Sequence, residues 1–210
     1  MHRRLSWGFA SLMLIGWLGT GCGGSALTEP TGESPEVSMA VQRNGLSTTA
    51  SWQGCTFNVA AVAHPGVLPP YYDYVLTRQA AVTCPFGAGS TIVATSYSPS
   101  VAIAGNSLGI AVAFTTKNTP SGSSPISVGI RQIAPDTLST VRSAGLSCGP
   151  SYYSVYFNDL FISGGGTTLQ VEGTKGCVIY GGGETGSGSN YHAYYADFFT
   201  TTNPPSIVAY

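Results

Sequence analysis

From residue 37 onward, hydrophobic and polar residues alternate over short runs, and clusters of glycine, proline, serine and asparagine separate the runs. The runs are rich in Val, Ile, Tyr, Phe and Thr, a composition typical of β-strands. No segment keeps apolar residues at helical spacing over three turns. The pattern predicts these strands: Val37 to Arg43, Cys55 to Ala63, Tyr72 to Cys84, Thr91 to Tyr97, Leu108 to Thr115, Ile126 to Ile133, Leu138 to Arg142, Tyr152 to Ser163, Thr167 to Gly173, Val178 to Tyr180 and Tyr191 to Thr200.

Strands that follow one another without helices, joined by turn-forming clusters such as HPG, PFGAG and NTPSGSSP, favour an antiparallel all-β fold. A chain of 210 residues is long enough for one sizeable core. We therefore expect residues 37–210 to form a single antiparallel β-sandwich or barrel-like domain.

The N-terminus has the three parts of a secretory signal. Met1 to Arg4 is short and basic, Leu5 to Leu18 is apolar and uncharged, and the small residues Gly19-Thr20-Gly21 precede Cys22. Small residues ending in Gly-Cys, followed by a Gly/Ser-rich segment, resemble the lipobox of bacterial lipoproteins. The alternative is conventional cleavage after Ala26.

The lipobox resemblance implies a signal peptide over residues 1–21 and a palmitate-type acyl anchor on Cys22, which becomes the mature N-terminus. Gly23 after the cysteine resembles outer-membrane sorting in that class, so the expected location is the cell envelope. Residues 22–36, CGGSALTEPTGESPE, read as a flexible tether between the anchor and the domain.

Cysteine usage fits export. Once Cys22 is assigned to the anchor, four of the five cysteines remain in an exported chain, which predicts two disulfides. Four cysteines allow three connectivities. The equal spacing of Cys55 to Cys84 and of Cys148 to Cys177 favours these two pairs, each closing the mouth of a hairpin.

The turn positions support that pairing. A hairpin that places Cys55 opposite Cys84 turns at Pro69-Pro70, where proline cannot donate to a ladder. The second hairpin turns just before the run Gly164-Gly165-Gly166, and its register requires a bulge or uneven arms. No C-x-x-C pair exists, so we predict neither a metal site nor a cofactor.

Charge excludes one class of partner. Only 8% of residues are charged, the net charge is −1, and no basic cluster exists beyond Arg3-Arg4. Nucleic-acid binding depends on a basic footprint, so we predict no nucleic-acid partner.

One motif suggests an enzyme. Gly105 to Gly109, GNSLG, resembles the nucleophile elbow of α/β-hydrolases. The resemblance implies Ser107 as nucleophile, His192 as base and Asp159 or Asp136 as the acid that orients the histidine. The residues after the motif, IAVAFTT, alternate like a strand, whereas the elbow requires a helix. The serine hydrolase is therefore the alternative hypothesis, and a turn between two strands is the main one.

A second glycine motif, Gly181 to Gly186, resembles the dinucleotide fingerprint G-x-G-x-x-G. The residues that follow it, SGSN, are loop-forming and do not open a helix. The sequence therefore predicts a mobile glycine loop.

Tyrosine is the most distinctive residue type, with twelve copies concentrated in PPYYDYV, SYYSVYF and NYHAYYADFF. In a strand, Tyr152, Ser154, Tyr156 and Asn158 share one face, and rings with polar tips suit sugars or a protein surface. We therefore predict ligand binding at Tyr152 and Tyr156.

Together these observations predict a lipid-anchored envelope protein with a non-catalytic binding or structural role. The expected partners are the membrane, through the anchor, and a glycan or an envelope protein.

Overall fold

The computed structural model describes residues 46–149, 152–163 and 165–210, and this part of the chain is all-β, with thirteen strands in three sheets and no helix. The predicted signal peptide, Cys22 with its tether, and the strand predicted over 37–43 lie outside the described residues. Among the residues described, none belongs to a helix of the length and hydrophobicity that crossing a lipid bilayer requires.

The first sheet has the order β1-β2-β3-β4 and the central sheet the order β5-β6-β7-β8. The third sheet has the order β11-β13-β12-β10-β9. All neighbouring strands are antiparallel except β11 and β13, which run parallel. The strands are β1 Thr49–Trp52, β2 Cys55–Ala63, β3 Tyr72–Arg78, β4 Gly89–Ser96, β5 Val101–Asn106, β6 Gly109–Thr116, β7 Ser127–Ile133, β8 Thr140–Leu146, β9 Val155–Ser163, β10 Thr168–Lys175, β11 Thr185–Gly186, β12 Asn190–Tyr195 and β13 Ser206–Ala209.

Strands β5 and β6 of the central sheet are buried on both faces, whereas its edge strand β8 is largely exposed. Along β6, seven consecutive residues from Gly109 are buried. Ile110, Val112 and Phe114 join a core shared with the first sheet. Ala111 and Ala113 join a second core, in which small side chains face the rings of the third sheet. The fold is therefore a sandwich of three layers, and within the described residues each sheet remains open.

Both predicted disulfides are present, with Cα atoms 4.4 Å apart for Cys55–Cys84 and 5.7 Å apart for Cys148–Cys177. The predicted hairpin registers need correction. The β2–β3 ladder pairs Phe57 with Arg78, so Cys84 lies in the loop beyond the position opposite Cys55.

The second disulfide encloses the β9–β10 hairpin from beyond its ladder, which ends at the pair Lys175 and Val155. Cys148 follows β8 of the central sheet and Cys177 follows β10 of the third sheet, so the bond links two layers. The β9–β10 ladder contains the expected bulge, at Glu172/Gly173. A Cβ on Gly173 would lie 1.9 Å from the Tyr156 carbonyl oxygen, so only glycine fits there.

Other strand predictions differ from the structure in detail. The segment predicted as a strand from Val178 to Tyr180 is irregular and ends in a turn, and the strand predicted from Tyr191 ends at Tyr195. The strand predicted from Tyr152 begins at Val155. The sequence reading missed β1, β5, β11 and β13.

Candidate functional site

A groove of about 260 Å³ lies beside β8, at one edge of the central sheet, where loops of the third sheet approach it. Its walls combine a strand edge, two tyrosines and a proline-containing loop, and none of its side chains carries a charge. The lining residues are Ser143, Ala144, Gly145, Tyr180, Gly181, Tyr195, Thr202, Asn203, Pro204 and Pro205.

Tyr180 forms one wall, and 74% of the residue is exposed to solvent. Its backbone N–H donates to the Ser147 carbonyl oxygen over 2.8 Å. A Cβ on Gly149 would lie 3.5 Å from the base of the Tyr180 ring, so the glycine backbone supports the ring from below. The backbone at Tyr180 is thus held in place while most of the residue faces water.

A buried ion pair fixes the loop that carries Tyr180. Lys175 Nζ lies 2.9 Å from Glu184 Oε1, and each side chain is only 5% exposed. Glu184 Oε2 accepts the Ile179 N–H over 2.8 Å, and Lys175 Nζ donates to the Cys177 carbonyl oxygen over 3.0 Å. Since Cys177 is also bonded to Cys148, the loop is tied both to its own base and to the central sheet.

Buried ion pairs contribute little net stability, because desolvation offsets most of their attraction, and their best-attested use is to specify one geometry. Here the geometry specified is that of the Tyr180 loop, which we call the clamp (residues 175–184). Sequence reasoning predicted a mobile loop over Gly181 to Gly186, whereas Glu184 anchors it. Gly182 is buried in the same segment, where a Cβ would lie 2.1 Å from Ile207 Cδ1.

The floor of the groove carries the hydroxyl of Tyr195. The residue is 2% exposed, and its Oη donates to the Gly145 carbonyl oxygen over a long 3.4 Å. Burial raises the pKa of Tyr195 far above its usual 10, so the hydroxyl stays protonated and neutral at physiological pH.

The opposite wall, residues 202–205, follows a tight turn. The N–H groups of Thr200 and Thr201 both donate to the Asp197 carbonyl oxygen over 2.9 Å. The Arg142 guanidinium on β8 donates to the carbonyl oxygens of Phe198 and Thr201. This wall is therefore joined to the same strand edge that it faces.

The groove can bind a neutral ligand, and its lining offers no pair of nucleophile and base. Thr202 supplies a hydroxyl, Asn203 supplies an amide that both donates and accepts, and Ser143 on β8 supplies backbone. An exposed ring and two prolines supply apolar surface.

The residues of the alternative hydrolase hypothesis lie on different sheets. Ser107 sits in the two-residue turn between β5 and β6, where its carbonyl accepts the Trp52 indole N–H over 3.2 Å. The next element is strand β6, so the motif forms a strand–turn–strand unit. Both Asp159 and His192 lie in the third sheet.

The His192 imidazole is engaged by tyrosines. Its Nδ1 lies 3.1 Å from Tyr194 Oη, and its Nε2 lies 2.8 Å from Tyr210 Oη and 3.5 Å from Glu172 Oε1. Asp159 is opposite Glu172, which is opposite His192, so two strand spacings, about 9–10 Å, separate the backbones of Asp159 and His192. No hydrogen bond within the described part of the chain joins His192 to Ser107.

The tyrosines predicted to bind ligand lie outside the groove. Tyr152 is 87% exposed and precedes β9. Tyr156 and Asn158 are exposed on β9 while Val155 and Phe157 are buried, as the alternation predicted. Within β9 the predicted face is therefore limited to Tyr156 and Asn158, and Tyr152 is not part of the strand.

Sequence reasoning missed Lys175, Tyr180 and Glu184. The one signal available was the rarity of charge: a lysine and a glutamate flank a cysteine and a glycine run in a chain with 8% charged residues. No group of three or more His, Cys, Asp or Glu side chains in the described ranges is arranged to hold a metal ion. Comparisons with protein-family models, with curated proteins and with solved structures found no match.

Proposed function

We propose that this chain is an exported bacterial envelope protein, anchored to the outer membrane through an acylated Cys22, whose β-domain is a non-catalytic binding module. The groove beside β8 is its ligand site. The membrane is one partner, through the anchor, and an envelope component bound in the groove is the other.

One observation carries the binding role: Tyr180 is 74% exposed, yet a buried ion pair and a disulfide fix its loop. Burying a large apolar side chain is worth roughly 1.5–3 kcal/mol, a gain that an exposed ring largely forgoes. An exposed ring on a fixed loop avoids the entropy cost of ordering that loop on binding, which favours recognition.

Two features support export and anchoring. Disulfides form and persist in oxidising compartments such as the periplasm, and all four cysteines of the domain are paired. The lipobox resemblance at Gly21-Cys22 supplies the anchor.

Metabolic labelling with an alkyne analogue of palmitate, followed by membrane fractionation, tests the anchor. We expect the wild-type protein to be labelled and to sediment with the outer membrane. The Cys22→Ser variant should be unlabelled and should accumulate as the unprocessed precursor. Equal labelling of the two proteins would refute anchoring at Cys22.

A fluorophosphonate probe tests the non-catalytic role. We expect no labelling of the wild-type protein, because Ser107 lies in a hairpin turn away from His192. Labelling that disappears in Ser107→Ala and in His192→Ala would establish the serine hydrolase instead.

A further inference from the structure

We infer that the groove beside β8 binds a neutral saccharide. This inference rests on the proposed function, because it assigns a ligand class to the same site. Three properties of the groove carry it: its lack of charge, its pairing of one ring with hydroxyl and amide groups, and the limited free edge of β8.

Charge argues against an anionic or cationic ligand. None of the ten lining residues is Asp, Glu, Lys, Arg or His. The nearby charges are already engaged: Arg142 with the carbonyl oxygens of Phe198 and Thr201, and Lys175 with Glu184. A phosphate, a uronate or a basic peptide would lose its hydration without gaining a counter-charge.

The chemistry of the lining matches the two sides of a sugar ring. A pyranose presents a face of C–H groups, which packs on an aromatic ring, and a rim of hydroxyls that both donate and accept. Tyr180 offers the ring. The rim can bond to Thr202 and Asn203, and at the floor to Tyr195 Oη, which donates to the Gly145 carbonyl oxygen and can still accept from a sugar hydroxyl.

The size fits a short ligand. A volume of about 260 Å³ equals that of about nine water molecules in the liquid, which is enough for one or two sugar rings. We therefore expect the groove to hold a terminal or internal disaccharide unit, with the rest of a longer glycan in solvent.

An extended peptide is the other ligand that an edge strand attracts, and it would bind by adding a strand to β8. That edge is largely occupied. The Ser147 carbonyl accepts the Tyr180 N–H, and the Gly145 carbonyl accepts the Tyr195 hydroxyl. The turn at Phe198 to Thr201 is held against Arg142. Thr140 to Ser143 remain, a run shorter than the roughly five or six residues of a typical strand.

The test titrates the full-length processed protein, in detergent, with neutral hexasaccharides of glucose, mannose, xylose and N-acetylglucosamine, and with an oligogalacturonate as the anionic probe. Calorimetry and ligand-observed NMR report the affinity. We expect at least one neutral hexasaccharide to bind and the oligogalacturonate not to bind. Binding should weaken at least about tenfold in Tyr180→Ala and remain within about threefold in Tyr180→Phe.

Matched variants separate the groove from other surfaces. Val178→Ala removes a side chain that is 73% exposed in the same loop but does not line the groove, so its affinity should equal that of the wild type. Loss of sugar binding in Tyr152→Ala, with none in Tyr180→Ala, would move the site to the face predicted from the sequence and overturn the groove assignment.

Selection from a random-peptide display library separates failure of the ligand class from failure of the site. Peptides whose binding disappears in Tyr180→Ala, with no binding of a neutral sugar at millimolar concentration, would overturn the saccharide assignment and retain the binding module. Preferential binding of the oligogalacturonate would likewise overturn the assignment, because the bound saccharide would be anionic and not neutral. If neither sugars nor peptides bind at Tyr180, both the saccharide assignment and the ligand site are refuted.

Discussion

Breaking the Lys175–Glu184 ion pair should destabilise the domain far more than breaking an exposed pair. Removing one partner of a buried pair costs about 3–5 kcal/mol, because the other charge is left in a low-dielectric site. Glu184→Gln retains an oxygen that accepts the Ile179 N–H, so we expect this variant to lower the free energy of unfolding by about 3 kcal/mol, the lower end of that range. Glu184→Ala also leaves that N–H unpaired, which adds about 1–3 kcal/mol.

The double variant Lys175→Met/Glu184→Gln isolates the coupling. The double variant buries no unpaired charge, so its loss of unfolding free energy should be well below the summed losses of the two single variants. The difference, which is the coupling energy between Lys175 and Glu184, should be at least about 1–2 kcal/mol. The free energy of unfolding comes from urea denaturation with the disulfides intact, followed by circular dichroism. For a domain of this size, 3 kcal/mol corresponds to a fall of about 6–12 °C in Tm.

Asp73→Asn is the matched control. His64 Nε2 and Asp73 Oδ1 are also 2.9 Å apart, but they lack hydrogen-bond geometry, and the histidine side chain is 39% exposed. Loss of this ion pair should therefore lower the free energy of unfolding by only about 0–1 kcal/mol. A cost below 1 kcal/mol for Glu184→Gln, or strict additivity in the double variant, would refute our account of the clamp. Hydrogen exchange at the Ile179 amide should accelerate in Glu184→Ala while exchange in β6 is unchanged.

Three further predictions follow from the packing. Replacing both Cys148 and Cys177 by alanine should lower the free energy of unfolding by about 3–4 kcal/mol in urea titrations, and an unchanged midpoint would show that the link between layers is not stabilising. Burial raises the pKa of Tyr191 above its usual 10, so the unfolded state loses the tyrosine proton at a lower pH than the folded state does. The contribution of Tyr191 to the free energy of unfolding is therefore complete below pH 10. Above pH 10 this contribution should fall by about 1.4 kcal/mol per pH unit. Tyr191→Phe should remove that part of the alkaline slope, and an identical slope would contradict it. Gly173→Ala should cost about 2–3 kcal/mol because its Cβ meets the backbone across the bulge, while Gly87→Ala, which has open space, should be nearly neutral by thermal melting; equal effects would reject the steric argument.

Where alternation was present, the sequence predicted the strands well. β2 runs from Cys55 to Ala63 as predicted, because one of its faces is buried and the other is largely exposed. β5 was missed because neither of its faces is exposed to solvent over its first four residues. Its residues Val101 to Ala104 are all buried, so the run carries no period of two.

The candidate site was harder to predict, because its parts meet only in the folded chain. Val178 to Tyr180 has the composition of a strand, yet the Cys148–Cys177 bond and Glu184 hold it in another conformation. The tyrosine clusters indicated ring-bearing surfaces, but which ring lines a groove depends on β8 and on the loop at residues 202–205, both distant in sequence. The disulfides were predictable because their two spacings are equal.

Strands β5 and β6 of the middle layer have water on neither side, and this governs how the molecule comes apart. Peeling off either outer layer would wet a whole face of Val, Ile and Ala side chains, so no two-layer remnant can persist. Denaturation should occur in one step, and a protease that cuts one outer layer should leave only small peptides and no resistant fragment.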